Sequence, residues 1–255
     1  MTEEKKESVQ KDSKETSKEK AFNYDLSVLE LLENGVHFGH KKSTRNPKMN
    51  PYIFGIRKGV NIINLEKTSE KFQEALNFIE GLVEKNGEIV LVGTKKQAKR
   101  LVKEIAQELK MPYVNERWIG GTFTNFKVIS SRVNYYKNQK RLLEQGQLDH
   151  LTKFEKNKLN KELNNLEIQM GGLIEMTKLP EAVFVLDIDK DRTAVKEAQK
   201  KGIKTIALVD TNDNPEGLDY LIPANNDALS SLDYILRTIA EKIKKVQKAN
   251  INKNS

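Results

Sequence analysis

Two hydrophobic periods alternate along most of the chain. Short uninterrupted apolar runs at residues 88–93, 182–186 and 205–209 are typical of strands buried on both faces of a parallel sheet. Between and after them, apolar residues recur at helical spacing over residues 66–86, 95–110, 193–201 and 227–246. This alternation predicts a doubly wound α/β sheet with right-handed crossovers.

Shorter elements complete this prediction. Residues 25–34 predict a short helix that ends at Gly35, and residues 60–65 predict the first strand of the sheet. Residues 112–115 and 219–223 predict two further short strands, the second at a sheet edge.

The period changes between residues 125 and 178. Apolar side chains there follow heptad-like spacing in two runs, and a T-x-x-E capping box at Thr152 and Glu155 starts the second run. The pattern predicts an antiparallel coiled-coil hairpin inserted into the α/β domain; two ordinary core helices are the alternative. The apolar positions are Phe126, Ile129, Val133, Tyr136 and Leu143, then Leu159, Leu163, Leu166, Met170 and Leu173.

One segment, residues 35–65, contains no Asp or Glu although 31% of the chain is charged. Its glycines and prolines disfavour a helix, so its cations lie on loop or extended backbone. Such a segment suits an anionic surface, nucleic acid above all, although an ordinary solvated loop is the plainer alternative. The six cations are Lys41, Lys42, Arg45, Lys48, Arg57 and Lys58.

Charge and composition locate the excess positive charge and exclude several kinds of site. The formal net charge is +8, and its whole excess lies between residues 21 and 178. The absence of cysteine excludes disulfides and thiolate catalysis. No apolar run has membrane-spanning length, and residues 1–20 lack the apolar core of a signal peptide, so we expect a cytoplasmic protein without a membrane partner. Residues 1–20 are polar enough to predict a disordered arm.

Open parallel sheets bind ligands beyond the carboxyl ends of their strands, so an active site would be expected there. Gly93-Thr94-Lys95-Lys96 lacks the spacing of either phosphate-binding glycine motif. Asp187 and Asp189 follow an apolar strand as in metal-dependent phosphatases, which leaves that enzyme class as the rival hypothesis. A helix cap and the binding of a divalent cation are the alternative roles for this acidic cluster.

Two histidines, His37 and His40, flank Gly39 in loop sequence without an evident third ligand. Hydrogen-bonded structural roles are therefore favoured over a zinc site. We expect no enzyme activity, no metal, no cofactor and no small-molecule substrate.

Five blocks together resemble the family of the second protein of the bacterial small ribosomal subunit, the S2 family. They are GVHFGHKKSTRNPKMNPYIFGIRKGVNIINLEKT, IVLVGTKKQA, NERWIGGTFTNF, LPEAVFVLDIDKDRTAVKEA and IALVDTNDNPEGLDYLIPANNDA. The resemblance runs from about residue 26 to residue 244, in the family's order.

The resemblance implies an α/β three-layer sandwich around a mostly parallel sheet, Rossmann- or flavodoxin-like, with an inserted antiparallel coiled-coil helical hairpin. It implies a structural, non-catalytic protein of the small (30S) subunit. Expected partners are 16S rRNA and neighbouring small-subunit ribosomal proteins, with the first protein of the subunit a candidate among them.

Domain boundaries follow from pattern and resemblance together. We expect a disordered charged arm at 1–20, an α/β RNA-binding domain at 21–124 and 179–247, the hairpin at 125–178 and a flexible tail at 248–255. The hairpin could also dock neighbouring proteins.

The resemblance implies RNA-facing cations at three places: the basic segment, a strand end and the base of the hairpin. Trp118 is assigned either to base stacking or, with more support, to a core position beside Gly120 and Gly121. The expected RNA-binding residues are Lys41, Lys42, Arg45, Lys48, Arg57, Lys58, Lys95, Lys96, Arg117, Lys127 and Arg132.

Overall fold

A computed structural model describes residues 27–148 and 152–254. The predicted arm at 1–20 and the tip of the predicted hairpin at 149–151 lie outside the described residues. The helices are α1 (Val28–Glu33), α2 (Leu65–Glu84), α3 (Lys99–Leu109), α4 (Phe126–Glu144), α5 (Lys153–Met170), α6 (Arg192–Lys201) and α7 (Leu229–Asn254). The strands are β1 (Phe38–Lys41), β2 (Ile53–Arg57), β3 (Val60–Ile63), β4 (Ile89–Val92), β5 (Tyr113–Val114), β6 (Ala182–Val185), β7 (Lys204–Val209) and β8 (Tyr220–Pro223).

The main sheet has five parallel strands in the order β5-β4-β6-β7-β8. All side chains of β4 and β6 are buried, as their uninterrupted apolar sequences predict. β8 lies at one edge, where it was expected. The predicted α/β class with a parallel sheet is confirmed.

Two buried clusters lie on opposite faces of this sheet, because side chains alternate along a strand. Ile89 and Leu91 join the cluster formed with α2, α3 and α7. Val90 and Val92 join the other cluster, which includes side chains of α6 and of the segment around Trp118. The sheet therefore forms the middle of three layers.

The basic segment forms a second, separate sheet. β1, β3 and β2 pair antiparallel in that order, and a two-residue turn at Lys58 and Gly59, both with positive φ, joins β2 to β3. Positive φ at both positions matches the twist of a tight hairpin. The prediction that residues 60–65 open the main sheet is therefore wrong.

α4 and α5 follow the predicted helical segments, and the Thr152–Glu155 capping box is present. Ile129, Val133 and Tyr136 of α4 are buried, as are Leu163 and Met170 of α5. The two helices contact each other. Whether they supercoil as a coiled-coil hairpin stays a prediction.

α7 continues to Asn254, so the helix end predicted at Val246 is wrong. The Nδ2 atom of Asn250 donates to the backbone oxygens of Val83 and Glu84 at 3.3 and 3.4 Å. These bonds attach the last turns of α7 to the end of α2. Within the described ranges no helix is both long and apolar enough to cross a bilayer.

Candidate nucleic-acid interface

Four cations of the basic segment lie at one end of the small sheet. Lys41 and Arg57 both pair with Val60 in register, from opposite sides of the central strand β3. The backbone nitrogen of Lys42 donates to the oxygen of Gly59 at 3.0 Å, and Lys58 forms the adjoining turn. All four cationic side chains are exposed. We call Lys41, Lys42, Arg57 and Lys58 the cation patch.

The other two cations of the segment differ. Arg45 is half-buried and follows the short 3-10 turn Lys42–Thr44. Lys48 is exposed but forms an ion pair with Glu216. Exposed pairs of this kind contribute little to stability.

Thr211, which follows β7, anchors the small sheet to the main one. Its Oγ1 accepts from the backbone nitrogen of His40 and its backbone oxygen accepts from Asn46, both at 2.8 Å. A Cβ atom on Gly39 would lie 2.4 Å from Cγ2 of Thr211. Only glycine allows this approach without displacement of the neighbouring atoms.

The side chain of His40, whose backbone nitrogen bonds to Thr211, contacts two acids. Its Nδ1 lies 3.1 Å from Oδ1 of Asp210, and its Nε2 lies 3.2 Å from Oδ2 of Asp227. The hydrogen bond with Asp210 raises the pKa of His40, and the charge of Asp227 acts in the same direction while burial and Lys95 oppose it. The sequence-based preference for a structural role holds for His40.

His37 has a different environment. Its Nδ1 is buried without a hydrogen-bond partner in residues 27–148 and 152–254, and burial lowers the pKa of the ring.

Lys95 belongs to this anchoring cluster and not to an exposed surface. Its side chain is 14% exposed, and Nζ lies 2.6 Å from Asp227 and 3.2 Å from Asp187. Nζ also donates to Asn226 Oδ1 at 2.7 Å. The assignment of Lys95 to RNA binding needs correction, because its charge is already neutralised within the protein. Lys96 is exposed.

The acids that suggested a phosphatase are also engaged. Asp187 pairs with Lys95 and accepts from the backbone nitrogen of Lys190 at 2.9 Å. Asp191 accepts from the backbone nitrogen and hydroxyl of Thr94, and makes no side-chain bond to the start of α6. The predicted helix cap is therefore wrong, and these acids instead connect neighbouring strand ends.

Asp213 is a buried acid with an altered pKa. Burial raises its pKa to about 7, against a backbone hydrogen bond that lowers it. Its Oδ2 accepts from Asp210 N and Asn226 Nδ2.

Among the residues that the structure describes, His40, Asp210 and Asp227 form a group that could hold a metal ion. One ligand atom from each lies within 4.8 Å of the others. Each of these side chains already has a partner, since His40 bridges the two acids and Lys95 pairs with Asp227. A divalent cation would have to compete with the charge of Lys95 and with the proton on His40.

A second set of predicted cations lies at the base of α4. Arg117, Lys127 and Arg132 are all exposed, on the segment before α4 and on α4 itself. They do not share an element with the cation patch.

Glu197 of α6 holds the segment before α4 in place. Oε1 accepts from Gly121 N at 2.7 Å and from Trp118 Nε1 at 3.2 Å. Oε2 accepts from the backbone nitrogens of Phe123 and Thr124 and from the Thr124 hydroxyl. Burial acts to raise the pKa of Glu197, but these hydrogen bonds outweigh it and lower the pKa from its ordinary value of 4.5.

Trp118 packs within this network and not on an open surface. Its side chain is 7% exposed and meets Phe123 edge to face at 4.8 Å between ring centroids. The core assignment is therefore right, and base stacking on Trp118 is excluded in this conformation. The role of Glu197 was not predicted from the sequence, because an acid in an ordinary amphipathic helix gives no local sign of hydrogen-bond partners that are distant in sequence.

Comparisons with known proteins identify the family. The family model described as "Ribosomal protein S2" matches residues 31–246. The chain belongs to the ribosomal protein S2 family. It is 45% identical over 217 residues to "Small ribosomal subunit protein uS2" of Hahella chejuensis, covering 85% of this chain and 86% of the relative. The protein with that name in Francisella tularensis subsp. novicida is 45% identical over 216 residues, covering 85% and 90%.

Membership of the S2 family confirms the resemblance noted in the sequence. It identifies the chain as a structural, non-enzymatic ribosomal protein. The matched range includes the cation patch, the anchor at Thr211 and Glu197. The engaged state of Asp187 agrees with the absence of a catalytic role.

Gly39→Ala tests the anchor. The new Cβ would overlap Thr211, so we expect the free energy of unfolding to fall by about 1–3 kcal/mol in urea titrations. Gly55→Ala in β2 is the matched control, because no atom lies within 4 Å of its Cβ position. Equal stability of the two variants would show that close contact with Thr211 does not hold the small sheet.

Glu197→Gln tests the network around Trp118. The amide has one acceptor oxygen for five donors, so we expect a loss of about 1–3 kcal/mol at neutral pH. Because the folded pKa of Glu197 is lowered, its stabilisation is present above 4.5 and is lost as pH falls through the folded value. The difference between wild type and variant should therefore shrink in acid, as measured by denaturation from pH 7 to pH 3.

An exposed acid provides the control for that series. Glu104→Gln on α3, whose partner is Arg100, should change stability by less than about 0.5 kcal/mol. A Glu197 variant as stable as this control would contradict the proposed role of the carboxylate.

Proposed function

We propose that this chain is a structural constituent of the small ribosomal subunit, which binds 16S rRNA and neighbouring ribosomal proteins and catalyses no reaction. The observation that carries the proposal is the cation patch, where two strands and a turn of an acid-free segment present four exposed cations together. The relatives, named as small ribosomal subunit proteins, support the same assignment.

The cation patch suits phosphate contacts. Lysine and arginine bind phosphate by charge, which positions a protein on RNA without reading its sequence. Where the RNA is paired, the A-form major groove hides base edges, so recognition there is mainly of backbone shape. Since β1 is fixed to Thr211, little backbone freedom is lost on binding, and this favours affinity.

We assign the other predicted cations, except Lys95, to the same role. Arg45, Lys48 and Lys96 belong to the α/β domain, which we place at residues 21–124 and 179–247. Arg117, Lys127 and Arg132 provide phosphate contacts at the base of the hairpin, residues 125–178. The exposed outer surface of that hairpin is available to neighbouring ribosomal proteins, among which the first protein of the subunit is a candidate. The protein would act in the cytoplasm, within the small subunit.

Neutralising the cation patch tests this function. We expect the combined variant Lys41→Gln, Lys42→Gln and Arg57→Gln to bind small-subunit rRNA more weakly than the wild type. The slope of log affinity against log salt should become shallower by about 2, because roughly three phosphate contacts are lost. Filter binding or fluorescence anisotropy at several salt concentrations measures both quantities.

A control variant with the same change in charge separates the patch from net charge. Lys67→Gln, Lys71→Gln and Arg100→Gln remove three cations from α2 and α3. We expect nearly unchanged affinity and slope. If the two variants lose affinity equally, the patch is not the binding site.

A further inference from the structure

The small sheet also exposes apolar side chains among its cations. Phe54 is 79% exposed, Phe38 is 51% exposed and Ile56 is 45% exposed. Contact with water at this scale is unfavourable for a phenylalanine side chain, by roughly 25 cal/mol per Å² of apolar surface. Exposed aromatic side chains on both edge strands of one small sheet indicate a surface that a partner covers. Ile56 pairs with the buried Asn61 and therefore lies on the other face.

The register of the strands forms this surface into two rows. Phe38 and Gly55 both pair with Ile62 of the central strand, which makes one row of three residues. Lys41, Val60 and Arg57 make the next row, with a cation on each edge strand. Strands lie about 4.8 Å apart, so the two edge strands of each row are roughly 10 Å apart.

Two features keep the apolar row open. No atom lies within 4 Å of the Cβ position of Gly55, so its side of the row is uncovered. The register shifts between Ile53 and Gly55, which places Phe54 in a β-bulge. Bulges interrupt the regular alternation of side chains, and Phe54 is the most exposed large apolar side chain in the described ranges.

The charge around these rings selects the kind of partner. The segment from residue 35 to residue 65 has six cations and no acid, which disfavours an ordinary protein surface with mixed charge and favours RNA. An unpaired base offers an apolar face that stacks on phenylalanine, and its flanking phosphates can reach nearby cations. A paired base in a duplex has no free face for this contact.

We propose that the small sheet is a stacking platform for unpaired nucleotides of RNA, with a base on Phe54 and adjoining phosphates on Lys41 and Arg57. This rests on the proposed function, since it specifies the part of the rRNA that the cation patch contacts. Phe38 extends the platform on the other edge strand, where one side of its ring already packs against His37 at 4.0 Å.

A tryptophan at position 54 reports stacking directly. The chain has a single Trp, Trp118, which is 7% exposed and shielded by its packing against Phe123. In Phe54→Trp we expect fluorescence quenching on addition of an unstructured eight-nucleotide RNA, and little quenching by a blunt duplex of the same length. Phe154→Trp is the matched control, because Phe154 is 78% exposed beside Lys153 but lies on α5. It should show no such preference.

Phe54→Leu measures what stacking contributes to binding. We expect affinity for small-subunit rRNA to fall on the order of tenfold while the salt slope stays unchanged, because the lost contact is uncharged. Phe154→Leu should bind as the wild type does. Because both rings are exposed, neither substitution removes buried packing, and circular dichroism should show intact folds.

Several outcomes would overturn the platform. The platform would be contradicted if Phe54→Leu bound rRNA with wild-type affinity and Phe54→Trp were quenched equally by single strand and duplex. If rRNA binding still depended on salt in that case, the proposed function would stand. Quenching of Phe54→Trp by other small-subunit proteins in the absence of RNA, and not by the oligonucleotide, would assign the surface to a protein partner instead.

Discussion

The close contact between Gly39 and Thr211 determines where the basic segment lies. It lets β1 reach the end of β7, where the backbone nitrogen of His40 and that of Asn46 find acceptors on Thr211. His40 then bridges Asp210 and Asp227. The small sheet is thereby fixed to the end of a buried strand of the parallel sheet.

The carboxyl ends of the parallel strands, where enzymes of this fold class bind ligands, have a structural role here. Lys95 neutralises Asp187 and Asp227, and Thr94 satisfies Asp191. These acids therefore connect strand ends within the protein. Cations that lack an internal acidic partner are left on the outside, at the cation patch. This separation of paired and exposed charges lets a protein rich in both signs bind a polyanion.

Sequence patterns predicted the features that depend on local composition. Uninterrupted apolar runs gave β4 and β6, and the absence of acids located the basic segment. Interactions between distant residues were not predictable. The partners of Lys95 lie 92 or more residues away in sequence, and Glu197 accepts hydrogen bonds from backbone amides more than 70 residues earlier. The small sheet was missed because its turn uses Lys58, not Asn, at positive φ.

A cryo-EM map of the assembled small subunit tests the central claim, that anchoring by internal ion pairs leaves the cation patch facing RNA. The account predicts phosphate oxygens within about 4 Å of side-chain nitrogens of Lys41, Lys42, Arg57 or Lys58. It also predicts that Lys95 remains paired with Asp187 and Asp227. A map in which the small sheet faces solvent, or in which Lys95 leaves its acids to contact a phosphate, would contradict it.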